Sequence, residues 1–175
     1  MVSYYTTRLM YALNSYAIKS NNFYKEKKIL YRGAKETYIN LLPLERLKGK
    51  IILFSAFTSI SENKEIAIEF SSRDKIKEIY EAKKLFSVVY IIKDSVKENC
   101  VPCGINIQSI AEYEEKEILF QPFSFYYVED VKFNYKNYYV DVYLETISKK
   151  EIFEEKIKNG KKVIYDEKAN LMVIG

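Results

Sequence analysis

The run Glu115-Lys116-Glu117-Ile118-Leu119-Phe120-Gln121-Pro122-Phe123-Ser124-Phe125-Tyr126-Tyr127-Val128 decides how the chain is read. It predicts two strands, 116–121 and 124–133, and further strand patterns lie on both sides at 105–109 and 138–146. Beyond residue 105 the chain therefore reads as almost wholly β. Upstream, 86–93, 51–58 and 28–33 are strand-like, while helices are predicted over 4–19, where Leu9, Ala12, Leu13 and Tyr16 recur at three- and four-residue spacing, and over 36–47 despite Pro43. Ser61 reads as the cap of a helix whose first turn is acidic. A helix over 149–159 ending at Gly160 and a closing hairpin of 161–166 with 170–174 complete the pattern. A helix followed by antiparallel-looking strands, without alternating βαβ units, predicts an α+β fold. With no repeat and no linker, residues 1–175 read as one domain: an N-terminal helix (1–24), a core (25–147) and a C-terminal extension (148–175).

Composition narrows the chemistry. The 175 residues include 28 Lys+Arg, 24 Asp+Glu and no histidine, a net charge of +4. Without histidine there is no Ser-His-Asp or Cys-His machinery, no imidazole zinc site and no proton shuttle near neutral pH. Any chemistry runs on carboxylates, hydroxyls, lysine, tyrosine or the four arginines, Arg8, Arg32, Arg46 and Arg73. The charge is too balanced and interleaved for a nucleic-acid partner. No apolar run reaches membrane-span length and no signal peptide is visible, so the expectation is a soluble protein with no membrane partner, cytoplasmic if the chain is complete; a monomer is expected, although no sequence feature bears on oligomeric state. Cys100 and Cys103 form a lone Cys-x-x-Cys; with neither Cys nor His left to supply two more ligands, no metal site is expected, and the pair reads as two loop thiols.

Four constellations could carry chemistry, and each also has a plain structural reading. On a strand, Glu115 and Glu117 share one face, where paired carboxylates could stabilise a developing positive charge such as an oxocarbenium ion; the alternative is a solvated acidic strand edge. Arg32 beside Gly33, in Leu30-Tyr31-Arg32-Gly33, could meet a phosphate through two parallel hydrogen bonds, or could be a surface arginine at a turn. In Phe57-Thr58-Ser59-Ile60-Ser61, Ser61 suits a helix cap and Ser59 is left to orient a carboxylate. Phe70-Ser71-Ser72-Arg73 sets an aromatic ring and a cation three residues apart, or a core phenylalanine beside a solvated arginine.

Together and in this order, these segments resemble the arginine–serine–glutamate class of mono-ADP-ribosyltransferases, which includes clostridial-type toxins and vertebrate ecto-enzymes. Leu30–Gly33 is similar to that family's arginine strand. Residues 57–61 are similar to its Phe-x-Ser-Thr-Ser segment, with Ile60 in place of the threonine, and 115–122 to its Glu-x-Glu motif with the apolar residues and proline that follow. The resemblance runs from about Tyr4 to Phe133 and does not extend to 148–175. It implies a split β-sandwich of two packed sheets with NAD as co-substrate in the cleft, and an N-terminal helical element on one side. It implies that Arg32 holds an NAD phosphate, the Gly33 backbone faces the nicotinamide amide, Ser59 orients Glu117, and Glu117 stabilises the oxocarbenium as nicotinamide leaves. Glu115 would position the acceptor guanidinium, Phe70 would stack on nicotinamide, and Arg73 would contact phosphate. Tyr113, within the loop 106–114, would touch the protein substrate.

The function expected on this basis is transfer of ADP-ribose from NAD to arginine side chains of a protein substrate, with release of nicotinamide. The alternatives are an NAD glycohydrolase on the same fold and a non-catalytic NAD-binding or interaction module.

Overall fold

The computed structural model describes residues 4–24, 28–94, 104–110, 117–147, 163–166 and 171–174. Glu115, Tyr113, Cys100, Cys103 and the expected helix at 149–159 lie outside the described residues. In chain order the elements are α1 (Tyr4–Ser20), β1 (Ile29–Thr37), α2 (Tyr38–Glu45), β2 (Ile51–Phe54), β3 (Thr58–Ser61) and α3 (Lys64–Phe70). There follow a single 3₁₀ turn (Arg73–Lys75), α4 (Ile76–Lys83), β4 (Leu85–Lys93), β5 (Gly104–Asn106), β6 (Glu117–Phe120), β7 (Ser124–Asn134), β8 (Tyr139–Ile147), β9 (Val163–Asp166) and β10 (Leu171–Ile174).

Alternation builds the centre of the molecule. Along β8, Val140, Val142, Leu144 and Thr146 are buried while the residues between them are not, the pattern of a strand with one face against a core. The hydrogen-bonded strand order is β5-β6-β3-β1-β4-β8-β7-β2-β10-β9, with β4 and β8 parallel and the other pairs antiparallel. Laid flat, β6 and β7 would be about 24 Å apart, five strand spacings. Yet the Phe120 and Tyr126 rings are 6.3 Å apart, and Phe54 on β2 meets Tyr90 on β4 at 5.6 Å. The sheet therefore curls over itself, and Ile60, Ile118 and Phe120 of one layer share a core with Ile52, Val128, Val140 and Leu144 of the other. The two packed layers expected from the sequence are thus hydrogen-bonded into one strand order. The seam between them is narrow: β1 and β3 pair only at Tyr31↔Ser61.

Three local readings are corrected. The helix expected over 36–47 starts at Tyr38, because Glu36 and Thr37 remain in β1, paired with Phe86 and Leu85. The strand expected over 51–58 breaks at 55–57, where the chain crosses from β2 in one layer to β3 in the other; an apolar run carries no mark of that crossing. Ser61 does not cap α3. It stays in β3, its Oγ accepts from the Asn63 N–H, and Asn63 is the cap, with Oδ1 accepting from the Glu65 N–H at 2.9 Å.

The helices cover the sheet. Leu13 and Ala17 of α1 pack on Ile105 with Leu119 and Phe57, while α2 buries Leu41 and Leu44 in the main core. The C-terminal hairpin β9–β10 pairs through β10 with β2, so it extends the same sheet. No helix among the described residues is long and apolar enough to cross a membrane.

Candidate active site

Three strands from distant parts of the chain lie side by side where the layers divide. The ladder register sets Glu117 opposite Ser61 and Ser61 opposite Tyr31. Directly paired residues hold their side chains on one face with Cβ atoms about 4.5–5.5 Å apart, so Tyr31, Ser61 and Glu117 form a row across β1, β3 and β6. Ser59 lies two residues along on the same face. Ile60 and Ile118, on the opposite face, point into the core.

This row borders a cleft of about 190 Å³ lined by Tyr31, Arg32, Gly33, Ser59, Ile60, Ser61, Ile66, Ala67, Phe70 and Glu117. Arg32, Gly33, Ser59, Phe70 and Glu117, singled out in the sequence, thus line one cleft. Tyr31, Ile60, Ser61, Ile66 and Ala67 also line it and carry no site role in the sequence reading. Tyr31 flanks Arg32, which is a sequence signal of sorts; the place of Ser61 depends on ladder register, which no local pattern carries.

Each side chain is placed by its element. Arg32 shares the core side of β1 with the buried Leu30, and at the seam its Nη1 donates to the Ser59 carbonyl at 2.9 Å. Gly33 is where α3 rests on β1: a Cβ there would stand 1.9 Å from the Ala67 carbonyl oxygen and 2.8 Å from the Ser71 nitrogen. Only glycine permits that approach, so Gly33 backs the cleft by letting α3 close on the strand. Phe70, the last residue of α3, is 56% exposed. Lys35 Nζ donates to the Phe70 carbonyl at 2.9 Å and to Ser72 Oγ at 3.0 Å, holding the end of that helix. Tyr90 stands opposite Arg32 in the β1–β4 ladder. Burial pushes its phenol up to about 12, Glu36 adds to the shift, and the Arg32 guanidinium opposes it.

Arg73 is placed differently from its sequence expectation. It is absent from the lining residues and is bonded to Asp141 on β8 at 2.6 Å.

The cleft therefore presents a guanidinium, a carboxylate, serine hydroxyls and an exposed aromatic ring on an apolar floor. A guanidinium meets an anion, an exposed ring stacks on a flat heterocycle, and a fixed carboxylate stabilises positive charge that develops on a bound molecule.

The same architecture occurs in solved structures. The Vis toxin, an ADP-ribosyltransferase from Vibrio splendidus, superposes with a TM-score of 0.57 at 22% identity over 81% of this chain and 58% of its own; Vis has also been solved with agmatine. The C3 exoenzyme of Clostridium limosum superposes at 0.52 and 15% identity, over 77% of this chain and 67% of its own. Exoenzyme S from Pseudomonas aeruginosa, solved with human 14-3-3 protein beta and bound to carba-NAD, does so at 0.50 and 17% identity, over 75% and 54%. The chain spans somewhat more than half the length of the Vis structures it matches. No protein-family model matches the chain, and no curated protein matches it by sequence. The protein has the ADP-ribosyltransferase fold.

Proposed function

We propose that the protein is a mono-ADP-ribosyltransferase that uses NAD as co-substrate and transfers ADP-ribose to arginine of a protein substrate, acting as a monomer. The observation that carries this reading is the convergence of Arg32, Ser59, Phe70 and Glu117, from four separate stretches of chain, on one cleft. The residues fit the dinucleotide in kind, as cation for phosphate, ring for nicotinamide and carboxylate for ribose. The cleft is smaller than the roughly 300–1,000 Å³ of pockets that enclose a drug-sized ligand, so it suits the nicotinamide–ribose end.

In this reading Phe70 stacks on the nicotinamide ring and Arg32 holds a phosphate. Glu117 accepts a hydrogen bond from the ribose 2′-hydroxyl, with Ser59 and Ser61 on its face of the sheet. As the bond from the ribose carbon to the ring nitrogen breaks, its electron pair leaves with nicotinamide, and Glu117 stabilises the positive charge left on the sugar. That interaction strengthens as charge develops and so lowers the barrier. The acceptor guanidinium nitrogen then bonds to the sugar carbon and loses a proton. Glu115 is assigned to orient the guanidinium, whose fork a carboxylate matches, and to accept that proton late. Tyr113 is assigned to the protein substrate.

Incubation with NAD and agmatine tests the proposal: nicotinamide and ADP-ribosyl-agmatine should appear together. Glu115→Ala should suppress the second product and spare nicotinamide release, and normal transfer by that variant would refute the division of labour. A second reading, an NAD glycohydrolase, is supported by the described lining, in which Glu117 is the carboxylate. Nicotinamide release with no agmatine adduct would favour it.

A further inference from the structure

The contacts of Arg73 form one continuous network that leads back to the cleft. Its Nη2 donates to Asp141 Oδ1 at 2.6 Å, both side chains are only about one-fifth exposed (19% and 21%), and its guanidinium carbon lies 4.4 Å from the centre of the Tyr139 ring. Its Nε donates to Ser87 Oγ at 3.2 Å, Ser87 donates to Ser71 Oγ at 2.9 Å, and Ser71 donates to the Ile68 carbonyl at 2.8 Å. Each hydroxyl accepts once and donates once, and both serines are fully buried. The relay therefore runs from a charge pair on β8 into the last turn of α3, the turn that ends in Phe70. Just beyond, Ser72 is left-handed at φ 52°, which reverses the chain, and Lys35 grips the Phe70 carbonyl and Ser72 Oγ from the other side.

We propose that Arg73 is a positioning residue: paired with Asp141, it locks the 71–73 turn onto β4 and β8 and so sets Phe70 at the cleft, and it does not itself meet the dinucleotide. This rests on the reading of the cleft as an NAD site. A guanidinium that faces a carboxylate and an aromatic ring in a half-buried place is already neutralised. To reach a phosphate it would abandon Asp141, Tyr139 and Ser87 and leave the Asp141 charge partly buried and unpaired, which is costly.

The two roles predict opposite signs for one substitution. If Arg73 were an anion ligand, Asp141→Asn would release a cation and leave NAD binding unchanged or tighter. If it is a positioning residue, Asp141→Asn weakens binding as Arg73→Lys does, and the double variant is no worse than either single one, because both break the same unit. The expected result in the full-length chain is a KM for NAD raised about tenfold in all three variants, with kcat within about twofold. A second readout needs no ligand. The chain contains 17 tyrosines but no tryptophan, so Phe70→Trp installs a single indole at the cleft that can be excited selectively, to the red of the tyrosines. Its emission should shift to the red and lose polarisation when Arg73→Lys or Asp141→Asn is added, with circular dichroism unchanged.

A lowered or unchanged KM in Asp141→Asn beside a raised one in Arg73→Lys would overturn the proposal, as would indole emission from the Phe70→Trp chain that is indifferent to both changes. Should the unsubstituted protein neither bind nor cleave NAD, the functional reading fails, and the indole emission alone decides the positioning role.

Discussion

Replacing Glu117 with glutamine removes a negative charge while keeping the side chain's length and shape. Its charge matters most when the sugar becomes cationic, so Glu117→Gln should lower kcat for nicotinamide release by about 10²–10³-fold, with NAD affinity, followed by calorimetry, changed little. Gly33 is constrained by shape alone. The atoms a Cβ would meet are backbone atoms of Ala67 and Ser71, which cannot swing aside as a side-chain tip would. Gly33→Ala should therefore cost about 3 kcal/mol in chemical denaturation, at the upper end of overpacking penalties. It should also weaken NAD binding, because relief comes from lifting α3 and Phe70 with it. Arg32 and Ser59 illustrate what a sequence motif conveys. Their types were legible from the start, but the bond between them joins a side chain to a backbone carbonyl 27 positions away, and only the folded chain brings those atoms together.

The element that governs the cleft is α3, seven residues long. A helix of that length is not stable by propensity. It persists because Asn63 caps its first turn, Ala67 seats on Gly33, and the Lys35 and Arg73 contacts hold its end. Asn63→Ala removes the cap and should cost about 1 kcal/mol, read as a fall in Tm of roughly 3 °C for a chain of this size. The sequence carried the signal for a helix here and an acidic first turn, yet Ser61 looked the better cap. Ser61 is held instead by two strand partners, Tyr31 and Glu117. Ladder pairing won because it engages Ser61 on both sides, while Asn63 could serve the helix in its place.

Across the whole molecule, the absence of histidine leaves stability with few groups to titrate near neutral pH. The half-buried Tyr90 phenol acts at the alkaline end. Its folded value of about 12 lies above the ordinary 10.0 of a tyrosine in water, so its contribution is fully present below pH 10 and is lost as pH rises towards 12, where the unfolded chain has already released the proton. The loss should amount to about 2 kcal/mol between those limits. Denaturant titrations at pH 9 and pH 11.5 on the parent and on Tyr90→Phe would isolate it: the parent should lose more stability than the variant, and equal losses would refute the assignment. At this scale the β9–β10 hairpin also has a clear task, since its pairing with β2 covers what would be an exposed apolar strand edge.

What the amino-acid order determined alone was local: the strand and helix periods, the hairpin near the end, the exclusion of imidazole chemistry, and the identities of Arg32, Ser59, Phe70 and Glu117 as groups worth watching. These follow from alternation, spacing and side-chain chemistry, which a short window contains. The tertiary structure alone decided that the strand over 51–58 divides between two layers, that Ser61 rather than Ser59 stands directly opposite Glu117, and that Arg73 is captured by Asp141. Each depends on a contact between residues distant in the chain, 68 positions apart for Arg73 and Asp141. Such contacts are settled by competition among all available partners once the sheet has curled closed, and no local pattern encodes the outcome.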